Sequence, residues 1–173
     1  PIKLIIENYP DDKVEYMKVE NNPEDKTFGS RKVAFSKELY IEREDFSENP
    51  PKKFFRLAVG NEVRLRNGYY VVCNDFKKDS LGNIIEVRCS YDPETKGGWS
   101  NDGRKVRGTI HWVSCKHSRN AEVRIYDKLF DKENPLKTLK DDDDFTFNIS
   151  SSSINTIENA KVESFLINAE INQ

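Results

Sequence analysis

The sequence predicts an all-β protein, and three observations support that prediction. Short runs rich in apolar and β-branched residues alternate with polar residues, as in strands that are buried on one face. Gly, Pro, Asn and Asp separate these runs at frequent intervals. No long amphipathic helix and no internal repeat interrupts the pattern. Many short strands with regular turn signals are typical of a β-barrel or a β-sandwich.

The first part of the chain contains four candidate strands. Residues 2–7 and 14–19 are separated by a turn near Pro10, so we expect them to pair as a hairpin. Two further strand-like runs follow at residues 31–36 and 39–42. The proline pair at residues 50 and 51 then stops the next segment, which is predicted to be a loop or a single helical turn.

The middle of the chain carries two hairpin signals. Asn67-Gly68 lies between strand-like runs at residues 62–66 and 69–74. Asn-Gly between two β-type runs predicts a two-residue hairpin, because both residues tolerate positive φ, and a bulge is the alternative. A second hairpin is predicted for the runs at residues 76–78 and 84–91.

The last third of the chain is less regular. A long, polar, Gly-rich loop at residues 92–108 precedes two candidate strands at residues 109–114 and 120–126. The acidic run at residues 141–144 lacks the alternating ligands of a calcium loop and is interpreted as a solvated loop. Residues 160–168 have mixed periodicity and fit either a strand or a short helix.

Composition and charge restrict the classes of function. The 173 residues carry 28 basic and 30 acidic side chains, so the net charge of −2 argues against a protein that coats nucleic acid along its whole surface. A local basic patch remains possible, and residues 51–70 contain five basic side chains against Glu62 alone. No apolar run approaches the length of a membrane span. The three cysteines are odd in number and irregular in spacing, which favours reduced thiols in a cytoplasmic protein.

Arginines and aromatic residues are concentrated in the middle of the chain. Arg64 and Arg66 are two residues apart and would share one face of a strand, while Val63 and Leu65 would face the core. Guanidiniums held on a strand can bind phosphates or base edges, and exposed aromatic rings can stack on unpaired bases. The alternatives are a solvated strand face for the arginines and core positions for the aromatic rings.

No group of residues predicts catalysis or metal binding. His111, Cys115 and His117 do not have the spacing of a closed metal site, and no second pair of ligands accompanies them. Gly97-Gly98 lies in a polar loop and does not lead from a strand into a helix, as a phosphate-binding loop would. We therefore expect no catalytic residue, no metal and no cofactor in this chain.

Five segments resemble the C-terminal anticodon-binding region of the glutaminyl-tRNA synthetase family. They occur in the order found in that family and span most of the chain, at residues 1–9, 29–33, 56–67, 102–114 and 122–130. Glutamyl-tRNA synthetases of the archaeal and eukaryotic type share the architecture. The segments at residues 64–67 and 110–114 are more similar to the glutaminyl enzymes.

The resemblance implies a fold of two antiparallel β-barrels. The proximal barrel would contain residues 1–22 and 109–173. The distal barrel would contain residues 23–108, inserted within the proximal one.

The resemblance also implies a function. An enzyme of this family, a class I aminoacyl-tRNA synthetase and glutamine–tRNA ligase, joins glutamine to its tRNA using ATP in a catalytic domain whose signature motifs are absent here. The chain is therefore expected to be non-catalytic and to recognise the anticodon loop of tRNA(Gln) beside a catalytic domain in the same polypeptide. Neither DNA nor a membrane is an expected partner.

The family's RNA-binding residues carry over to particular positions. Arg56 matches an arginine that contacts the third anticodon base, and Arg64 and Arg66 match arginines around the first anticodon position. Lys53 is expected to touch the RNA backbone, and Asn67 completes the predicted RNA-binding set. The chain ends before a strand that helps to hold the middle base in the family, so that pocket is expected to be incomplete.

Two alternatives stay open at this stage. One is the anticodon-binding domain of a glutamyl-tRNA synthetase. The other is a protein–protein interaction module within a synthetase assembly, which would need an exposed apolar patch. Salt-sensitive tRNA binding that depends on the anticodon would separate RNA recognition from the second alternative.

Overall fold

The computed structural model describes residues 1–138 and 144–170, and the regular structure in those residues consists of β-strands and short 3₁₀ helices. The strands are β1 (Ile2–Ile6), β2 (Glu15–Glu20), β3 (Ser30–Phe35), β4 (Glu38–Ile41), β5 (Glu62–Leu65), β6 (Tyr70–Lys78), β7 (Ile84–Asp92), β8 (Thr109–Ile110), β9 (Val113–Ser114), β10 (Arg119–Tyr126) and β11 (Ile154–Val162). The 3₁₀ helices are Lys26–Phe28, Arg43–Asp45, Pro93–Thr95, Pro135–Thr138, Phe145–Asn148 and Ser164–Asn168. The prediction of an all-β fold is confirmed. Within the described residues, no helix has both the length and the apolar character of a transmembrane span.

The chain divides into two compact units. The larger unit comprises Pro1–Arg119 and the segment that begins at Lys161, and the smaller unit comprises Asn120–Ala160. The assignment of residues 1–22 and 109–173 to one barrel and of residues 23–108 to another stays a prediction.

A seven-stranded sheet in the order β8-β5-β6-β7-β1-β4-β9 forms the frame of the larger unit. Its two edge strands, β8 and β9, are separated along the chain by His111 and Trp112 alone. Three Cα–Cα steps reach at most about 11 Å, whereas seven flat strands would span about 29 Å at the usual strand spacing. The sheet is therefore curled until its edges approach each other, in agreement with a barrel-like fold.

Most neighbours in this sheet are antiparallel, but two pairs are parallel. β1 pairs with β7 in parallel, and β5 pairs with β8 in parallel. A parallel pair needs a long crossover between its strands, and the intervening chain supplies it in both cases. The purely antiparallel pattern that the resemblance implies is thus modified at these two positions.

The predicted hairpin between the first two strands is wrong. β1 lies between β4 and β7 in the curled sheet, while β2 pairs with β3 in a separate two-stranded sheet. Both hydrogen-bonding edges of β1 are therefore paired with strands that lie far along the chain. The alternation of apolar residues predicts which face of a strand is buried, but it does not specify which strands pair at its edges.

The two hairpins predicted in the middle of the chain are confirmed, but the predicted two-residue loop of the first is wrong, because Leu65 is hydrogen-bonded to Tyr69 and three residues lie between them. β5 pairs with β6 and β6 pairs with β7, with a bulge in β6 between Cys73 and Asp75. Asn67 takes positive φ, at 57°, whereas Gly68 does not. Gly68 packs against Leu65 and Phe35, where a β-carbon would lie 3.3 Å from Leu65 Cβ and 3.4 Å from Phe35. Asn67 therefore supplies the positive φ of the turn, and the lack of a side chain at Gly68 allows close packing.

Buried apolar side chains form one core under the curled sheet. Val63 and Leu65 are buried, as their positions opposite Arg64 and Arg66 predict. Phe35 makes edge-to-face contacts with three other aromatic rings, those of Tyr9, Tyr69 and Trp112, with centroids 4.9–5.3 Å apart. Such contacts add to the burial of apolar area and fix the ring positions.

The run at residues 109–114 is not one continuous strand. β8 pairs with β5 and β9 pairs with β4, so the chain crosses from one edge of the sheet to the other at His111 and Trp112. The Trp112 indole donates a hydrogen bond to the Arg66 carbonyl at 3.0 Å and fills the space inside the crossing.

The smaller unit contains a two-stranded sheet of β10 and β11. Its β10 strand confirms the prediction for residues 120–126. Residues 160–168 contain the end of β11 and then the 3₁₀ helix Ser164–Asn168, so both interpretations of this segment apply in part. Residues 141–143 of the acidic run lie outside the described residues.

Candidate nucleic-acid interface

Arg56 is held by a buried carboxylate. Its guanidinium donates a hydrogen bond to Asp45, whose side chain is 2% exposed, while the Arg56 side chain itself is 49% exposed. Asp45 ends the 3₁₀ helix Arg43–Asp45, and its carbonyl accepts the Leu57 N–H at 2.9 Å. The residue pair therefore links two segments, and part of the Arg56 side chain still faces solvent.

Arg64 lies on β5 between two aromatic rings. The guanidinium carbon is 5.6 Å from the ring centroid of Tyr70 and 5.6 Å from that of Trp99. The Arg64 Nε is buried and has no hydrogen-bond partner among the described residues. Cation–π contacts thus hold this side chain in place, and no carboxylate among the described residues neutralises it.

Arg66 and Asn67 follow the end of β5, and both are exposed. The Arg66 N–H donates to the Ile110 carbonyl at 3.0 Å, which fixes the backbone at the sheet edge. Both residues line a groove of about 610 Å³ in the larger unit. The other lining residues are Lys18, Val19, Glu20, Asn21, Pro23, Arg31, Val33, His111, Trp112 and Glu163.

The groove also contains a salt bridge between two residues that are not in the predicted RNA-binding set. Arg31 binds Glu163 through two hydrogen bonds of 2.6 and 3.0 Å, and His111 Nε2 is 3.7 Å from the same carboxylate. His111 has the larger effect and Arg31 the smaller one in lowering the pKa of Glu163 to about 2. Partial burial of the carboxylate acts in the opposite direction. The groove is therefore lined both by a carboxylate held in an ion pair and by Arg66, which has no carboxylate partner among the residues that the structure describes.

Sequence reasoning did not find this salt bridge. Arg31 lies in one of the segments that carry the family resemblance, but Arg31 and Glu163 are 132 residues apart. No local pattern predicts a contact over such a separation. Only the pairing of β3 with β2 and the return of the chain at Glu163 bring these residues to the same groove.

Lys53 is exposed and takes positive φ, at 66°. This conformation is uncommon for a residue other than glycine and costs on the order of 1 kcal/mol. Neither Lys53 nor its neighbour Lys52 has an acidic partner among residues 1–138 and 144–170. Their ammonium groups are available to an anionic ligand.

The basic side chains of this region fall into two classes. Arg104 donates hydrogen bonds to three carboxylates, those of Glu62, Asp92 and Asp102, which together raise its pKa. In contrast, within the part of the chain that the structure describes, several side chains have no carboxylate partner: Lys52, Lys53, Arg64, Arg66, Lys105 and Arg107. These side chains carry the positive charge that is not locally neutralised.

The predicted residues do not form a single contact group. Arg64 packs on Trp99, Arg66 lines the groove, and Arg56 is paired with Asp45. Arg66 lies one residue beyond the end of β5, so the strict alternation expected from Arg64 does not extend to it.

The described residues contain no group of three His, Cys, Asp or Glu side chains that is placed to hold a metal ion. Cys73, Cys89 and Cys115 are free thiols.

Comparison with known proteins gives two family matches. Residues 1–92 match a model described as tRNA synthetases class I (E and Q), anti-codon binding domain, and residues 109–173 match a second model with the same description.

Curated relatives cover nearly the same region. The glutamine–tRNA ligase of Rhodopirellula baltica is 53% identical over 171 residues, 99% of this chain and 28% of the relative. That of Bradyrhizobium diazoefficiens is 48% identical over 163 residues, 94% of this chain and 28% of the relative. That of Clostridium kluyveri is 56% identical over 129 residues, 75% of this chain and 23% of the relative. The chain thus spans less than a third of the length of these relatives.

Proposed function

The chain belongs to the anticodon-binding domain family of the class I tRNA synthetases for glutamate and glutamine, and on that premise we propose that it recognises the anticodon loop of tRNA(Gln). The match of both family models, one on each side of the loop at residues 93–108, carries this proposal. Together the two models cover most of the chain.

The names of the relatives favour tRNA(Gln) over tRNA(Glu) as the RNA that this chain recognises. The three compared above are all named glutamine–tRNA ligases, with 48–56% identity over the aligned regions. Similarity at this level across the RNA-binding region supports the same tRNA for this chain. The family models and the relatives do not favour a protein–protein interaction module.

We propose that this region acts beside a catalytic domain that attaches glutamine to tRNA(Gln) using ATP, in the cytoplasm. This chain would contribute recognition and would itself bind no ATP. The energy of anticodon contacts would then favour the correct tRNA before the catalytic domain acts on the other end of the molecule.

The proposed contacts involve three side chains without a carboxylate partner in the described residues, those of Lys53, Arg64 and Arg66, together with the half-exposed Arg56, which is paired with Asp45. Arg66 and Asn67 line the groove, whose volume of about 610 Å³ suits an unstacked base. Arg64 and Arg66 would read the region of the first anticodon base, and Arg56 would read the third. Lys53 would hold the RNA backbone as a point charge. By analogy with duplex readout, each bidentate guanidinium contact would discriminate between bases by roughly 1–3 kcal/mol.

Asp45 would hold the Arg56 guanidinium in position for its contact with the base. A guanidinium that already donates one hydrogen bond to a buried carboxylate loses less conformational freedom on binding a base. The half-exposed part of Arg56 would then make the RNA contact, while Asp45 keeps the group in position.

Binding of fluorescently labelled RNA to the chain tests the proposal. The ligands are the tRNA(Gln) anticodon stem-loop and the same stem-loop with all three anticodon bases replaced, at low salt, where phosphate contacts are strongest. We expect the replaced anticodon to weaken binding by about 10- to 100-fold, in line with one or two lost base contacts. A stem-loop with an altered stem sequence but the same loop is the control and should bind as the parent RNA does. Equal affinity for both anticodons would contradict the proposal, and preference for the tRNA(Glu) loop would replace glutamine by glutamate.

A further inference from the structure

Trp99 is an exposed tryptophan that the predicted RNA-binding set does not include. Its side chain is 76% exposed, whereas Trp112, the other tryptophan of the chain, is 3% exposed. Trp99 lies between the 3₁₀ helix Pro93–Thr95 and β8. An exposed indole presents a large aromatic face to solvent, and a flat ring of a ligand can stack on it.

The Trp99 ring is not free to move away from the surface. Arg64 lies against it, with the guanidinium carbon 5.6 Å from the ring centroid, and Tyr70 packs against the same guanidinium at 5.6 Å. The preceding Gly98 has a φ of 86°, and a β-carbon there would lie 2.8 Å from Arg64 Cδ. The glycine therefore lets the chain approach Arg64 closely enough for the indole to lie on the guanidinium.

A second arginine–aromatic contact lies close to the first. Arg107 packs over the Phe55 ring at 5.2 Å, and Phe55 is also exposed, at 46%. The Arg64 N–H donates to the Gly108 carbonyl at 2.9 Å, so the residue after Arg107 is bonded directly to the strand that carries Arg64. Neither Arg64 nor Arg107 has a carboxylate partner among the described residues. Exposed rings and unneutralised guanidiniums thus occur together at this edge of the sheet.

We propose that Trp99, supported from behind by Arg64, is a stacking platform for one unpaired nucleobase of the bound RNA. The inference rests on the proposed function and adds a residue and a mode of contact to it. Arg64 covers one side of the indole, and the exposed remainder can accept a base. Every base has a π face, so this contact adds affinity without reading sequence, and the positive charge of Arg64 and Arg107 attracts the flanking phosphates.

Substitution of Trp99 in the 173-residue chain tests the platform against the tRNA(Gln) anticodon stem-loop. We expect Trp99→Ala to weaken binding by about 5- to 100-fold, the range for loss of one base–aromatic stack. Trp99→Phe keeps a ring and should bind within about threefold of the parent, since a smaller ring still stacks. Because no charge is lost, the slope of log affinity against log salt should stay the same in both variants. Leu81→Ala removes another exposed apolar side chain, at the loop between β6 and β7, and is the matched control.

Fluorescence provides a second readout that a structural role would not change. Trp112 also lines the groove, so its quenching by RNA would be retained in Trp99→Phe, and the larger quenching expected in the parent measures the contribution of Trp99. Equal affinity of Trp99→Ala and the parent, or equal loss in the Ala and Phe variants with no difference in quenching between the parent and Trp99→Phe, would overturn the platform. In both cases RNA binding by the parent would leave the proposed function intact. Failure of the parent chain to bind the stem-loop would overturn the proposed function and this inference with it.

Discussion

Arg56 and Asp45 form an ion pair in which the carboxylate is buried and the guanidinium is half-exposed. Removal of the arginine would leave a buried charge without its partner, which costs more than the pair itself contributes. The same arginine is the proposed contact for the third anticodon base. Stability and recognition are therefore coupled at this residue, and a binding defect at Arg56 has to be separated from a folding defect.

Substitution of Arg56 should lower stability measurably. We expect Arg56→Ala to reduce the free energy of unfolding by roughly 1–3 kcal/mol, because Asp45 loses its hydrogen-bond donor. Urea unfolding followed by circular dichroism gives this value. Arg66→Ala, which removes an arginine with no carboxylate partner, should change it by less than about 0.5 kcal/mol. In a complete enzyme that carries this region, Arg56→Ala should also raise the KM for tRNA strongly, and equal aminoacylation by variant and parent would remove Arg56 from the interface.

The double variant separates the two effects further. If Asp45 is destabilising only when unpaired, Arg56→Ala combined with Asp45→Ala should lose less stability than the two single variants added together. Strict additivity would show that the two side chains do not interact.

Acid should unfold the protein partly through Glu15. This carboxylate accepts hydrogen bonds from Lys96 at 2.6 Å, Tyr69 at 2.7 Å and Tyr9 at 2.8 Å. Burial opposes its ionisation, but these bonds outweigh burial and hold its pKa at about 2, below the usual 4.5. A depressed carboxyl pKa contributes stability that is present above about pH 4.5 and is lost as the pH falls towards 2.

Glu15→Gln should therefore flatten the pH dependence of stability between pH 5 and 2. The expected loss at neutral pH is on the order of 2 kcal/mol, and the difference from the parent should vanish near pH 2. Thermal unfolding at a series of pH values measures both. Glu24→Gln, at an exposed glutamate, is the control and should follow the parent curve. A parallel shift of the whole Glu15→Gln curve would mean that ionisation of this group is not linked to folding.

A β-carbon at Gly108 should disrupt the edge of the sheet. Such an atom would lie 1.9 Å from the Phe55 carbonyl oxygen and 3.2 Å from Val63. The closest obstacle is backbone, so we expect Gly108→Ala to destabilise the protein by at least ~2 kcal/mol. Gly103→Ala, at a glycine with positive φ and open space around it, should cost only about 1 kcal/mol. Comparable melting temperatures for the two variants would show that the segments containing Gly108 and Phe55 move apart at little cost in free energy.

Free and paired cations should differ in their effect on salt dependence. Lys53, the proposed backbone contact, has no carboxylate partner in the described residues, whereas Arg104 binds three carboxylates. We expect Lys53→Gln to reduce the magnitude of the slope of log affinity against log salt by roughly 0.7, the value for one contact to single-stranded RNA phosphate. Arg104→Gln should leave that slope unchanged. Salt titration of RNA binding distinguishes the two, and an equal change in both slopes would contradict the division into free and neutralised cations.

Local sequence patterns predicted the strands better than their partners. Apolar alternation located β1, but its position between β4 and β7 depends on pairing with residues far along the chain, which local patterns do not encode. The run at residues 109–114 has uniform β character, yet it splits at His111 because each half completes a different edge of the curled sheet. Closure of the sheet, rather than local propensity, decides that break.

At the candidate interface, too, the residues were predicted better than their contacts. Spacing placed Val63 in the core and left Arg64 outside it, while family resemblance singled out Arg56 and Arg66. No sequence pattern indicates that Asp45 holds Arg56, because a carboxylate in a short loop segment looks like any solvated acid until the fold buries it. Long-range contacts between charged side chains depend on the final packing and carry no periodic signal.

The most direct test of base recognition compares the anticodon selectivity of two single variants. Affinities of the parent, Arg56→Ala and Arg66→Ala are measured for the tRNA(Gln) stem-loop and for stem-loops changed only at the first or only at the third anticodon base. We expect Arg56→Ala to lose discrimination at the third base and keep it at the first, Arg66→Ala to do the reverse, and each lost preference to be about 5- to 100-fold. Uniform weakening of all the RNAs by both variants, with the parent's base preferences retained, would show that these arginines do not read the anticodon bases.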